Sequence, residues 1–150
     1  DISLQLKVIA ETVDDAAGEA LDKGAKLLGM PYPGGAKMEE SAKDGNPKAF
    51  NFPLAFPEKN ELKFSFSGLK TSLFYVLNKW TESEIELNKA DLSASYQKAV
   101  VDQLVRKTGQ VISQDSFKSF GLSGGVANNE LMREAFFRLK IFNNSGIAVP

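Results

Sequence analysis

Apolar residues recur at helical spacing in four stretches of the chain. Val13, Ala17, Ala20, Gly24 and Leu28 share one face and predict a helix over residues 13–28, with Thr12 and Asp15 spaced as in a capping box. Gly29 and the M-P-Y-P-G-G run end it, and a short amphipathic piece follows over 37–43. Residues 69–80 form a second apolar helix, opened by the turn at Ser67-Gly68. Asp91 has the character of an N-cap for a third, in which Leu92, Tyr96, Ala99, Val100 and Leu104 line a buried stripe reaching about residue 111. Leu131, Ala135 and Leu139 lie on one face of a fourth, over 130–139.

Strand patterns are shorter. Leu62, Phe64 and Phe66 alternate with polar residues, and 117–122 and 146–149 are brief apolar runs. Residues 49–56 are aromatic but broken by Pro53, as suits an edge strand or extended arm. The acidic stretch 82–90 reads as a surface connection. Without repeats or low-complexity tracts, these elements predict a mixed α/β or α+β unit over residues 1–150.

Composition narrows the chemistry. The 150 residues are 43% hydrophobic, enough for a core, and 18 basic residues nearly balance 19 acidic ones, so a polyanionic partner needs a local basic patch. The sequence has no cysteine and no histidine, which removes disulfides, thiolate nucleophiles, imidazole bases and the soft metal ligands. No apolar run approaches the roughly 20 residues of a membrane helix, and the first residues do not form a basic leader. A soluble, cytoplasmic protein is expected.

Five groups of residues are candidates for chemistry, one of them the turn at Gly34-Gly35 with the neighbouring carboxylate of Glu39, which fits a plain helix-terminating turn beside a solvated helix residue as well as a site. The S-G-G-V-A-N-N loop between a strand and a helix brings Gly124, Gly125, Asn128 and Asn129 to a helix N-terminus, where glycine permits close approach and free N–H groups attract anions. A phosphate or nucleoside cradle and an ordinary strand-to-helix turn both fit. Asp15, Glu19 and Asp22 put three carboxylates on one helix face, able to bind sugar hydroxyls or a cation, or simply to be solvated beside Lys23 and Lys26. Ser67-Gly-Leu-Lys70 has the S-x-x-K spacing of serine nucleophiles, without the companion triplets, and equally suits a helix start. Phe50, Phe52, Phe56, Phe64 and Phe66 suit base stacking or a core, and few basic residues interleave with them.

Several segments in order resemble one family: E-T-V-D-D-A-A-G-E-A-L-D-K at 11–23, L-L-G-M-P-Y-P-G-G at 27–35, F-S-F-S-G-L-K-T at 64–71, D-L-S-A-S-Y-Q-K-A-V-V-D at 91–102 and G-G-V-A-N-N-E-L-M-R at 124–133. The chain is similar over about residues 10–139 to the tRNA threonylcarbamoyladenosine transferases, long known as O-sialoglycoprotein endopeptidases or glycoproteases. The resemblance implies the two-lobed ASKHA fold of actin and Hsp70, with ribonuclease H-like sheets. It also implies transfer of a threonylcarbamoyl group from threonylcarbamoyl-AMP to the adenosine beside the anticodon of tRNAs that read codons beginning with A.

By position, the resemblance makes Asp22, Gly35 and Asn129 adenylate contacts, Glu39 a further ribose contact, and Gly124 and Gly125 backbone linings of the same site. It implies one divalent metal of iron or zinc type, and as partners tRNA, a paralogous subunit with a small ATPase, or a second copy. The family's H-x-x-x-H pair, T-D-N-like aspartate and first-lobe S-G-G phosphate loop are absent, and Ala36 stands where proline usually follows the glycine pair. The expectation is therefore the second-lobe portion of a longer enzyme, with residues 10–60 as an insertion and 61–150 as a sheet-and-helix core, no catalytic or metal residue of its own, and no activity alone. A non-catalytic paralogue is the first alternative. A metallopeptidase is the second, and no H-E-x-x-H supports it.

Overall fold

The longest element, helix α4, runs through Glu82–Gln114, and the other four helices and the strand at Lys63–Phe64 pack along it. At 33 residues it is about 50 Å long. The computed structural model describes residues 7–58, 60–114, 117, 119–143 and 146–148, with side-chain surroundings described up to residue 139. The remaining elements are β1 (Glu11–Thr12), α1 (Ala17–Leu27), α2 (Gly34–Ala42), β2 (Lys63–Phe64), α3 (Ser67–Leu77), β3 (Ser119–Gly121), a 3-10 turn at Gly125–Asn128, α5 (Glu130–Asn143) and β4 (Gly146–Ala148).

Two parallel ladders join distant parts of the chain. Glu11 and Thr12 pair with Lys63 and Phe64, and Ser119–Gly121 pairs with Gly146–Ala148 across α5. The second is a β-α-β unit, the connection that parallel strands require. The mixed, helix-rich α/β character matches the sequence pattern. Lys118 and Val149 of the expected strands lie outside the described residues.

Two apolar clusters flank α4. Leu21, Ala25, Met38, Leu69, Leu73, Leu92, Tyr96 and Val100 belong to the larger, and Val101, Met132 and Phe136 to the smaller. Tyr96 is fully buried, its hydroxyl donates to Ala20 O at 3.0 Å, and Phe52 meets its ring edge-on. Burial and the nearby charge of Asp15 push the phenol well above its ordinary pKa, which keeps it a neutral donor.

The structure corrects four local expectations. First, α1 begins at Ala17 because Thr12 is spent in β1, where its hydroxyl donates to Asp15 O at 2.8 Å. Second, α2 begins at Gly34 rather than residue 37, so the glycine pair is its first turn. Third, residues 82–90 are helix. Thr81 and Glu84 form a reciprocal capping box, with Thr81 N–H donating to Glu84 Oε2 at 2.7 Å and Glu84 N–H donating to Thr81 Oγ1 at 3.3 Å. Fourth, Asp91 lies inside that helix and anchors the preceding loop by accepting from Asn46 N–H at 2.7 Å. Residues 49–56 form no strand. They lie over α4 as an arm, with Phe50 N–H bonded to Ser95 Oγ at 3.1 Å. As expected, α1 ends in a turn at Gly29, whose φ of 71° suits glycine, and Met30 N–H reaches back to Ala25 O at 2.9 Å.

Candidate nucleoside cleft

The N-terminus of α2 nests on α1. A Cβ on Gly34 would stand 2.8 Å from Ala25 Cβ and 3.0 Å from Asp22 Cα, so only glycine allows this approach. The closeness lets Asp22 Oδ1 accept from Gly35 N–H at 2.7 Å, which places a carboxylate at the positive end of α2. Pro33, the N-cap residue, makes no side-chain cap bond, and Asp22 takes that part from the neighbouring helix.

A second helix start faces the first. Gly124, at φ 99°, turns the chain into the 3-10 turn, and α5 follows. Glu39 Oε1 reaches across from α2 to accept from Glu130 N–H at 2.7 Å. Asn129 Oδ1 accepts from Met132 N–H at 3.0 Å, a side-chain N-cap, while its Nδ2 donates to Gln97 Oε1 at 2.9 Å. Two of the N–H groups that the sequence offers to an external anion are thus already bonded to the protein.

Between these starts lies a cleft of about 290 Å³, lined by Asp22, Gly35, Glu39, Gly125 and Asn129, with Gly18, Val126 and Asn128 among its other walls. Five of the six residues expected at the site therefore meet in one place. Gly124 sets the turn from just outside the lining. Asn129 is buried and Asn128 is exposed, so of the two asparagines Asn128 has the freer side chain. Among the described residues no lysine or arginine lines the cleft, but two carboxylates do. Such a wall accepts hydrogen bonds from hydroxyls and repels phosphate, so it suits the sugar of a nucleotide rather than its phosphates.

The other candidates separate. Asp15 and Glu19 both bind Lys23, at 2.6 and 2.8 Å, so of the three carboxylates Asp22 alone turns to the cleft. Those bonds raise the Lys23 pKa, through Asp15 first and then Glu19. Ser67 Oγ donates to Asp14 Oδ2 at 2.8 Å and Lys70 is exposed, so S-x-x-K here marks a helix start. Phe50 packs on Trp80 and Phe64 stacks on Phe66, which assigns these aromatics to packing.

Sequence reasoning missed Asp14. Its carboxylate accepts from Phe66 N–H at 2.8 Å, Ser67 N–H at 3.3 Å and the Ser65 and Ser67 hydroxyls, capping α3 from about fifty residues away. Burial alone would raise its pKa. The bonds from Ser65, Phe66 and Ser67 outweigh that and bring it down to about 2. Gln97 was missed too, since nothing in a helical stripe shows that one of its polar members meets a cap.

The donor set does not fit a divalent ion of iron or zinc type: histidine and cysteine are absent from the sequence, and among the described residues no three acidic side chains converge.

Comparison with known proteins follows the same lines. The sequence model of the tRNA N6-adenosine threonylcarbamoyltransferase family matches residues 2–147. Proteins of that name from Moorella thermoacetica and Desulfitobacterium hafniense are 46% and 47% identical to the chain over 85% of its length, covering 37% and 38% of their own. One from Thermosipho africanus is 39% identical over 97% of the chain and 44% of its own length. The chain thus spans about two fifths of the curated relatives it matches.

Proposed function

The chain belongs to the tRNA N6-adenosine threonylcarbamoyltransferase family, and from that premise we propose that its cleft is the nucleoside-binding wall of an enzyme using threonylcarbamoyl-AMP. The acceptor is the N6 amine of the adenosine beside the anticodon in tRNAs that read codons beginning with A. The amine attacks the carbamoyl carbon, an N–C bond forms as the C–O bond to phosphate breaks, AMP leaves, and the amine gives up one proton.

The observation that carries this reading is the convergence of Asp22, Gly35, Glu39, Gly125 and Asn129 on a single cleft with two carboxylates and, among the described residues, no cation. Asp22 and Glu39 accept hydrogen bonds from ribose hydroxyls. Gly35 and Gly125 leave room for the nucleoside to approach the backbone, and Gly124 fixes the loop. Asn129 supplies a donor from the buried side.

In this reading residues 1–150 form the second-lobe portion of a two-lobed ASKHA enzyme, with about 10–60 as an insertion and about 61–150 as a ribonuclease H-like core. The parallel β3–α5–β4 unit supports that assignment. The phosphate loop and the ligands of the divalent metal belong to other parts of the full-length protein. The 150 residues alone do not catalyse transfer. tRNA is the macromolecular substrate, and a paralogous subunit with a small ATPase, or a second copy, completes the assembly in the cytoplasm.

Calorimetric titration of the full-length protein with AMP tests the site. Asp22→Asn keeps an acceptor for Gly35 N–H but removes the charge, and Glu39→Gln does the same at α5. Each weakens AMP binding by roughly 3- to 10-fold, the scale of the difference between a charge-assisted and a neutral hydrogen bond. Affinities equal to wild type in both variants would overturn the reading.

A further inference from the structure

The Met132 N–H can only donate, so the atom of Asn129 that faces it is Oδ1, and the amide nitrogen points the other way, to Gln97 Oε1. One backbone group thereby orients two side-chain amides in series. Both are buried: Gln97 is 5% exposed and Asn129 6%. Of the two hydrogens on Asn129 Nδ2, Gln97 takes one, and Asn129 also lines the cleft. Gln97 is outside that lining. It borders a second recess of about 350 Å³, whose lining includes Glu39 and Glu130.

We infer that Gln97 is a positioning residue for the nucleotide site: its Oε1 holds Asn129 Nδ2 so that the remaining N–H is presented to the cleft as a donor for an acceptor atom of the bound nucleoside. This rests on the nucleoside reading of the cleft. Without an acceptor at residue 97, the Asn129 amide keeps only the cap bond on Oδ1, and its nitrogen end loses the second bond that fixes the side-chain torsions and so its aim.

The experiment is a double-mutant cycle in the full-length protein, read by calorimetry with AMP and by steady-state kinetics with threonylcarbamoyl-AMP and tRNA. Gln97→Met keeps the length and removes the acceptor. Asn129→Asp keeps the cap acceptor and removes the donor. Gln97→Leu is the second choice if the methionine variant does not fold, as judged by thermal denaturation. Gln97→Met is expected to weaken AMP binding roughly 3- to 10-fold and to raise KM for the adenylate, leaving KM for tRNA and kcat unchanged. The double variant binds AMP no more weakly than Asn129→Asp alone, because Gln97 acts through Asn129. Additive losses, or a fall in kcat with an unchanged adenylate KM, would overturn the inference. So would wild-type AMP affinity in Gln97→Met beside a weakened Asn129→Asp, an outcome that leaves the site reading intact. If Asn129→Asp itself binds AMP like wild type, both the positioning role and the nucleoside contact fall.

Discussion

Glu39 on α2 accepts a hydrogen bond from the backbone N–H of Glu130, the first residue of α5, at 2.7 Å. One carboxylate both borders the cleft and holds together the two helices that form it. Glu39→Ala removes an anion from a helix N-terminus and is expected to cost about 0.5–1 kcal/mol. Glu39→Gln retains the acceptor and loses less. Urea denaturation of the three proteins checks the order, and a loss in Glu39→Gln as large as in Glu39→Ala contradicts it.

Asp14 makes stability depend on acid. Its folded-state pKa of about 2 lies below the ordinary 3.8. Its contribution is therefore fully present above pH 4 and is lost as the pH falls toward 2. Asp14→Ala is expected to lower stability at neutral pH by about 0.5–2 kcal/mol, the range of a lost N-cap. The difference between variant and wild type should close on acidification. Circular dichroism melts from pH 5 to 2 measure it, and a difference that stays constant across that window excludes Asp14 as its source.

The glycine pair at the start of α2 should divide in effect. Gly34→Ala brings a methyl against Ala25 and the Asp22 backbone and is expected to cost about 1–3 kcal/mol. In Gly35→Ala the new atom lies 3.6 Å from Asp22 Oδ1, ordinary contact, so stability changes by no more than about 0.5 kcal/mol. Denaturation midpoints decide, and equal losses refute the close-approach argument.

Thr81→Ala removes one half of the box that starts α4. The expected loss is about 1 kcal/mol. Hydrogen exchange should show it first in residues 82–90, and unchanged protection there speaks against the cap.

The helices were legible wherever an apolar stripe persisted, as in Leu92, Tyr96, Ala99 and Val100. Where a start depends on side chains from elsewhere, local pattern failed. Asp14 caps α3 and Asp22 caps α2, and neither relation lies within a reading window. The 82–90 error is different, since Thr81 and Glu84 were visible at capping-box spacing. Acidity drew the reading toward solvent, although acidic residues also favour a helix N-terminus. The candidate residues were legible through the ordered motifs, and their convergence on one cleft was not, because it depends on how α1, α2 and α5 pack. Glu39 marks the limit: its sequence position offers a solvated helix residue or a ribose contact, but not a bond to another helix.

Val100 and Val101 are consecutive on α4, yet the first is buried in the larger apolar cluster and the second in the smaller. A single peptide unit therefore joins a residue of each core, and Leu104 and Val126 pack against both. Loosening the helix at that point withdraws a side chain from both at once, so the clusters should melt in one transition, with a common midpoint for probes placed in either.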